Sequence, residues 1–144
     1  MIGKKYEKFF YFRTTADEDD DDHSVDSIML PVNRITGVLP GGVAFTETRT
    51  KVIIYFDSST QQVPTFNQDL TSGGYGHILL NINTDTSKDV IKAIVNAAGP
   101  NGPSDPVIVI ADDTTVDVDG STRPPKYIHK DILDVSGLVF NRYV

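Results

Sequence analysis

Two stretches of the sequence concentrate carboxylates, the side chains that hard cations such as Ca²⁺ bind. The longer is the run of six acidic residues from Asp17 to Asp22. A calcium site needs several oxygens converging at about 2.4 Å, and loop glycines and backbone carbonyls help to supply that geometry. An acidic run without glycine repels itself and is typical of a solvated segment. We expect a mobile acidic loop over residues 14–26, with a cation site there as the less favoured alternative.

The second stretch, Thr115 to Gly120, partly resembles the calcium-binding loop of an EF-hand. Asp117, Asp119 and Gly120 occupy the third, fifth and sixth positions of that loop. The first position is Thr115 instead of Asp, the twelfth is Lys126 instead of Glu, and no helix pattern precedes the segment. A turn that carries aspartates is therefore the favoured interpretation.

Residues suited to nucleophilic or acid–base catalysis form no recognisable pattern. The sequence has no cysteine, and its three histidines, His23, His77 and His129, lie far apart. It has no Gly-x-Ser-x-Gly nucleophile motif. Its glycine pairs lack the following helix and the Gly-Lys-Ser/Thr ending of a phosphate-binding loop. A triad can assemble from distant positions, but these observations favour a protein that is not an enzyme. We assign no catalytic, cofactor-binding or metal-binding residue.

The charge balance argues against two classes of partner. Lysine and arginine number 13 against 20 aspartates and glutamates, which gives a net charge of −7. Affinity for nucleic acid comes mainly from cations that displace phosphate counterions, and anionic membrane surfaces also attract basic segments. No apolar run is long enough to span a bilayer, and Phe9–Phe12 is too short for the core of a signal peptide. We predict no nucleic-acid or membrane partner and no export by a signal route.

An aromatic cluster near the start of the chain has three possible roles. Tyr6 and the four residues Phe9–Phe12 favour a strand that packs into the core. The second possibility is an arm that packs on a neighbouring subunit. A stacking platform for single-stranded nucleic acid is the third, and it lacks the basic groove that such platforms need.

The strand and helix patterns together predict an α+β fold that is mostly β. The strongest strand is Lys51–Asp57, and His77–Asn83 alternates with Ile78, Leu80 and Ile82 on one face. One helix is predicted over about residues 87–98, with a Thr86/Asp89 capping box and Gly99 as a left-handed terminator. It follows a strand and precedes the apolar run Val107–Ala111, so a parallel crossover is possible.

The predicted architecture is a single domain over residues 1–144. Five or six mainly antiparallel strands form a curved sheet or a small barrel, with the helix packed on it. Pro40-Gly41-Gly42 is expected to be a turn, and the last strand to carry a bulge near Gly137. Residues 58–76 and 112–126 are expected to form long polar loops.

Several segments resemble a family of viral proteins. Lys8–Arg13, the acidic run and Asp26–Gly37 are the first group; Asp89–Val95, Ile108–Asp113 and Tyr127–Lys130 share the same character. In these pieces the chain resembles small uncharacterised proteins of marine tailed phages, including cyanophages. The resemblance implies a structural or accessory protein of the virion, located there or in the host cytoplasm, with no known catalytic residues.

Two functions follow as expectations. The first is a non-enzymatic structural or assembly protein that forms a homo-oligomer, with other virion proteins as further partners. The second is a small module that binds a metal, a carbohydrate or a peptide through the loops at 58–76 and 112–126.

Overall fold

The computed structural model describes residues 8–14, 27–42, 49–57, 74–117 and 119–142. In these residues the chain forms one α-helix, one short 3-10 helix and eight strands. The helix α1 spans Ser87–Ala98 and the 3-10 helix spans Val32–Arg34. The strands are β1 (Phe9–Arg13), β2 (Ser27–Pro31), β3 (Ile35–Gly42), β4 (Arg49–Asp57), β5 (Gly74–Ile82), β6 (Val107–Asp112), β7 (Lys126–Tyr127) and β8 (Ile132–Arg142). The expected class, mostly β with a helix, is confirmed.

The strands form two sheets of four strands each, and neither closes into a barrel. Sheet 1 has the order β2-β1-β6-β7, and sheet 2 has the order β3-β4-β5-β8. Sheet 2 is antiparallel throughout, whereas sheet 1 contains one parallel pair, β1 with β6. The predicted single sheet or small barrel of five or six strands is therefore corrected to two open sheets. Alternation shows which face of a strand is buried, but it does not show which strands pair.

The parallel crossover between β5 and β6, which the sequence left possible, does not occur. The connection from β5 through α1 to β6 leaves sheet 2 and enters sheet 1. The strand that β6 joins in parallel is β1, which comes much earlier in the chain. A strand–helix–strand pattern restricts the handedness of a parallel crossover within one sheet, but it does not require the two strands to share a sheet.

The core lies between the inner faces of the sheets and α1. Alternate residues of β4 and β5 point inwards and are almost completely buried: Val52, Ile54, Phe56, Ile78, Leu80 and Ile82. Sheet 1 contributes Phe10 and Phe12 of β1 together with Ile108 and Ile110 of β6. The favoured interpretation of the aromatic cluster as a core strand thus holds for β1, while Tyr6 lies outside the described residues.

The helix has the predicted bounds but different caps. It buries Val90, Ile94 and Ala97 and packs on β3 and β4. The predicted capping box is absent, because the Thr86 hydroxyl donates to the carbonyl of Asn83 (2.7 Å) and caps no helical N–H. Gly99 is extended, with φ −85°, and is not left-handed.

A residue distant in sequence satisfies the carbonyls at the end of α1. The Lys8 ammonium donates to the carbonyls of Ala97 (3.2 Å) and Gly99 (2.8 Å). A cation suits this position because the carbonyl end of a helix carries partial negative charge. This contact joins the start of β1 to the helix.

The predictions for two glycine-containing segments have different outcomes. Pro40, Gly41 and Gly42 continue β3 opposite β4 and do not form the predicted turn. In β8 the extra residue is Ser136, which lies between the pairs Leu79–Gly137 and Leu80–Val135. The bulge predicted near Gly137 is therefore confirmed at its neighbour.

The predicted loops are only partly described. The acidic loop at 14–26 lies outside the described residues except for Thr14, and so do residues 58–73 of the second loop. The end of that second loop was placed too late, because β5 already begins at Gly74. The third loop, 112–126, is more structured than expected: it contains a bridge between Val116 and Thr122, and its two ends belong to β6 and β7.

Candidate functional site

The aspartates at the end of β6 are buried and fully engaged by the chain. Asp112 and Asp113 are each 7% exposed. One oxygen of Asp112 accepts the backbone N–H of Thr114 (2.9 Å) and the hydroxyl of the same residue. Its other oxygen accepts the Arg123 guanidinium at 3.0 Å. This carboxylate is therefore part of a closed internal network.

Asp113 connects the two sheets. Its carboxylate accepts the backbone N–H of Val135 in β8 at 2.9 Å and the hydroxyl of Tyr127 in β7 at 2.7 Å. Burial raises the pKa of Asp113 above its ordinary value, and these hydrogen bonds oppose the rise. Burial and the bond to Asp113 also raise the pKa of Tyr127. Asp113, held by Tyr127 on the sheet 1 side and bonded to Val135 of sheet 2, acts as a structural clamp between the sheets.

The segment that resembles a calcium loop is a hairpin closed by its own side chains. Asp117 pairs with Arg123 at 2.7 Å, and this bond is the main reason that the pKa of Arg123 is raised. Asp119 accepts the backbone N–H of Ser121 (2.9 Å), and its bonds to Ser121 lower its pKa. Gly120 is left-handed, with φ 83°. These carboxylates bind the chain itself, as the favoured interpretation of a turn expects.

His77 and His129 are the two histidines in the described part of the chain, and each contacts a neighbouring side chain. His77 lies on β5 with its ring centroid 5.9 Å from that of Tyr55 on β4. The Nδ1 of His129, between β7 and β8, accepts the backbone N–H of Asp131 at 3.1 Å. His23 is outside the described residues. No group of three or more potential metal ligands occurs in the segments that the structure describes.

A shallow polar groove of about 330 Å³ lies where β4, β5 and β8 meet. Its lining includes Thr50, Asn83, Thr84, Leu133 and Asp134. Asn81, also in the lining, has both ends of its amide engaged: it accepts from the Lys51 ammonium and donates to Asp134 (2.7 Å). Asn83 donates to Asp131 at 3.0 Å. Three polar residues of the lining, Asn81, Asn83 and Asp134, are therefore engaged by the chain itself.

The outward face of sheet 2 is unusually apolar for a surface. Large side chains stand there with substantial exposure: Leu39 (51%), Tyr75 (46%), Tyr55 (39%) and Val139 (37%). Ile53, His77 and Leu79 lie among them and are half-buried. These seven residues are called the outer patch below. Contiguous apolar surface of this kind usually marks an interaction site.

The strand register arranges all residues of the outer patch except Tyr75 in two central rows, each of which ends in a glycine. One row crosses the sheet through Leu39, Ile53, Leu79 and Gly137, and the next crosses through Gly37, Tyr55, His77 and Val139. The glycines occupy opposite edges of the sheet. A Cβ added at Gly37 would meet no atom within 4 Å, so this position is an open notch. The face therefore combines bulky residues with notches at its two edges.

Charged residues lie on either side of these rows on β4. Alternation with the buried residues of β4 puts Lys51 on the outer face at one end and Asp57 at the other. The Lys51 row continues through Asn81 to Asp134, and the Asp57 row continues through Tyr75. A neutral centre is thus flanked by opposite charges along β4.

Sequence reasoning missed the outer patch. The alternation of Ile78, Leu80 and Ile82 with Asn81 and Asn83 predicts a half-buried strand, whose second face is expected to be polar. The available signal was that the residues on the opposite faces of β4 and β5 are apolar too, among them Ile53, Tyr55 and Leu79. A strand that is apolar on both faces is buried on both faces in its functional state or presents a binding surface.

Sheet 1 has a smaller outward apolar surface. Met29 (49% exposed) and Val107 (39% exposed) lie on it beside the half-buried side chains of Phe9, Tyr11 and Val109. This surface is a useful comparison for the larger one on sheet 2.

No family model, curated protein or solved structure matches this chain. Within the described segments, the 12-residue α1 falls short of the length and apolarity that a bilayer-crossing helix needs.

Proposed function

We propose that the chain is a non-enzymatic structural or assembly protein that acts as a homo-oligomer, with the outer patch as the contact between copies. The observation that carries the proposal is the apolar outer face of sheet 2. Four large residues there are more than a third exposed. Most soluble oligomers are homo-oligomers, and two-fold dimers with isologous contacts are the commonest of them.

The charge distribution supports this choice of surface. Each copy carries a net charge of −7, so copies repel one another at long range. The two central rows of the outer patch contain no aspartate, glutamate, lysine or arginine. Association through this face brings apolar groups together without burying an unpaired formal charge in its centre.

The size of the face indicates a reversible contact. Four strands about 4.8 Å apart and six residue steps of about 3.3 Å give a plan area of roughly 400 Å² per copy. Two copies would cover roughly 800 Å², which is below the roughly 1,200 Å² of standard stable interfaces and is typical of weak, transient contacts. We therefore expect self-association in the micromolar range or weaker, reinforced by multiple contacts in a larger assembly.

The setting proposed for that assembly is a phage virion. Its support is the resemblance of Lys8–Arg13, Asp26–Gly37 and the later segments to proteins of marine tailed phages. Other virion proteins are then further partners. A symmetric assembly uses many weak, repeated contacts, which suits a small uncharged patch.

Sedimentation velocity over a range of chain concentrations tests the proposal. We expect the wild type to show a reversible dimer or larger oligomer. Val139→Lys places a charge in the outer patch and is expected to weaken association at least tenfold, because a buried valine contributes about 1.5–3 kcal/mol. Lysine also lowers the net negative charge, so weaker association could not be attributed to greater long-range repulsion.

Two matched variants locate the contact. Val95→Lys changes an exposed valine on α1 (56% exposed), and Met29→Lys changes an exposed residue on the outward face of sheet 1. Both are expected to associate like the wild type. A strict monomer at all concentrations contradicts the proposal. Dissociation by Met29→Lys instead of Val139→Lys would move the contact to sheet 1.

The alternative function is a small binding module. The carboxylates at 112, 113, 117 and 119, in the loop suggested for it, are engaged by the chain itself. Calcium titration followed by thermal melting tests the metal version. A melting temperature that rises with calcium would favour this alternative, since a ligand that binds only the folded state stabilises it.

A further inference from the structure

We infer that the partner on the outer patch is a second copy whose β4 runs antiparallel to the first, related by a two-fold axis perpendicular to the strands. The inference rests on the proposed self-association and specifies its geometry. The axis lies in the plane between sheet 2 of one copy and sheet 2 of the other. It passes over β4 at the position of Ile54. Each β4 then lies over the β4 of the other copy.

The positions of Lys51 and Asp57 on β4 favour this arrangement. They lie on the outer face three residues to either side of Ile54. The two-fold axis therefore brings Lys51 over the partner's Asp57 and Asp57 over the partner's Lys51. A single chain thus provides two complementary charge pairs, which set the relative direction of the strands.

The uncharged rows are complementary in the same arrangement. The Ile53 row of one copy faces the Tyr55 row of the other. Leu39 then lies opposite the partner's Gly37, and Val139 lies opposite the partner's Gly137. According to the strand register, each of these bulky residues faces a glycine of the partner, which has no side chain. Sheets that pack face to face are about 10 Å apart and interdigitate side chains in this way.

The other two-fold arrangement of the same face lacks the charge pairing. An axis parallel to the strands, between β4 and β5, also sets glycines opposite bulky residues. It brings Lys51 over the partner's Asn81 and Asp57 over the partner's Tyr75, according to the register of β4 with β5. The partner's Asp134 then lies one strand to the side of Lys51, so of these two axes only the perpendicular one sets each charge directly over an opposite charge.

A charge-exchange experiment tests the geometry by sedimentation equilibrium. Lys51→Asp and Asp57→Lys each convert two attractive pairs into two repulsive ones, and each is expected to weaken self-association roughly tenfold or more. The double variant Lys51→Asp/Asp57→Lys restores both pairs in reversed order. An equimolar mixture of the two single variants also restores both pairs, but in a heterodimer. Both samples are expected to associate within a fewfold of the wild type.

Neutral and structural controls keep the test interpretable if a charge reversal disturbs folding. Lys51 also donates to Asn81 and to Ser136 (3.4 Å), so circular dichroism and thermal melting accompany every sample. Asp57→Asn removes one charge with little change of shape. It is expected to weaken association a fewfold and to reduce its salt dependence between about 0.05 M and about 0.5 M salt.

Gly37→Val tests the notch without a change of charge. The position has room in the single chain, and valine suits a strand, so the variant is expected to fold normally. It fills the space opposite the partner's Leu39 and is expected to weaken association. Normal association of Gly37→Val would show that this face is not covered by a second sheet.

The outcomes separate the geometry from the proposed function. If the wild type forms an oligomer and Lys51→Asp, Asp57→Lys and Asp57→Asn leave its affinity unchanged, the perpendicular axis is wrong but self-association stands. A wild-type chain that stays monomeric overturns both. Weakened single variants together with a restored double variant and a restored mixture support the inferred geometry.

Discussion

At the scale of single residues, Asp113 shows how one buried carboxylate can hold two sheets together. It receives a backbone N–H from β8 and a hydroxyl from β7, and it is itself next to the end of β6. It thus ties sheet 1 to sheet 2 through one side chain. A buried donor that loses its acceptor costs more than an ordinary hydrogen bond contributes.

Removal of this acceptor is expected to destabilise the fold. Asp113→Ala leaves the Val135 N–H and the Tyr127 hydroxyl without their acceptor, and buried unpaired groups cost about 1–3 kcal/mol each. Urea unfolding should show a loss in that range. Asp105→Ala, at an exposed position in the loop before β6, is the control and should change the free energy of unfolding by less than about 0.5 kcal/mol. Equal losses in the two variants would contradict the clamp.

The raised pKa of Asp113 predicts the sign of its pH dependence. The folded state holds this proton to a higher pH than the unfolded state, whose carboxyl titrates near 3.8. The stabilising contribution is complete below pH 3.8 and is lost as the pH rises through the folded-state pKa. Asp113→Asn cannot titrate. The wild-type free energy of unfolding, minus that of the variant, should fall over this range and then level off; a difference that rises with pH would be the wrong sign.

At the scale of elements, the helix illustrates what sequence patterns can and cannot show. Its bounds followed from the spacing of Val90, Ile94 and their neighbours, because a buried stripe needs the helical period. Its capping did not follow, because Lys8 reaches the helix end from the residue before β1, and the carbonyls that it binds are 89 and 91 residues away in the sequence. Local patterns report local geometry, whereas this contact depends on the tertiary fold.

The Lys8 contact gives a direct test. Lys8→Met keeps the apolar stem but removes the donors to the carbonyls of Ala97 and Gly99. The expected loss in the free energy of unfolding is about 1–2 kcal/mol, since hydrogen bonds to charged groups contribute more than neutral ones. Lys92→Met changes an exposed lysine of the same helix and should have little effect. Chemical denaturation of both variants would reveal whether the helix end depends on Lys8.

The strands β5 and β8 approach closely at Gly76. A Cβ on this residue would overlap the carbonyl oxygen of Val139 and would lie 2.7 Å from Phe56 Cζ. Gly76→Ala should therefore destabilise the fold by about 1–3 kcal/mol or more. At Gly137, in the neighbouring strand, the nearest atom to an added Cβ is Leu79 Cδ1 at 4.0 Å, so Gly137→Ala should be tolerated. Thermal melting compares the two alanines, and equal melting temperatures would rule out the close approach.

At the scale of the whole molecule, the sequence predicted the class but not the division into two sheets. The strand positions of β4, β5 and β8 were visible as apolar runs. The parallel pair β1–β6 was not, because nothing in either segment identifies a partner so distant. The outer patch was missed for a related reason. A buried face is enough to identify a strand, whereas a continuous apolar surface on the other face can be recognised only when the register shows which residues of neighbouring strands are adjacent.

Self-association predicts that stability depends on concentration. If folded copies associate and unfolded chains do not, mass action makes the melting temperature rise with chain concentration. Val139→Lys should abolish this dependence while Val95→Lys keeps it. Differential scanning calorimetry at several concentrations would measure both. A wild-type melting temperature that is the same at all concentrations would contradict the linkage.

The pairing of β1 with β6 has a consequence for synthesis of the protein. About 100 residues separate the two strands, so at typical translation rates on the order of 10 s pass between their appearances. During that interval the Phe-Phe-Tyr-Phe-Arg strand has no partner on one edge and is liable to aggregate. The acidic run Asp17–Asp22 follows it closely in the sequence, and flanking charge of this kind keeps a nascent apolar strand from associating with other chains.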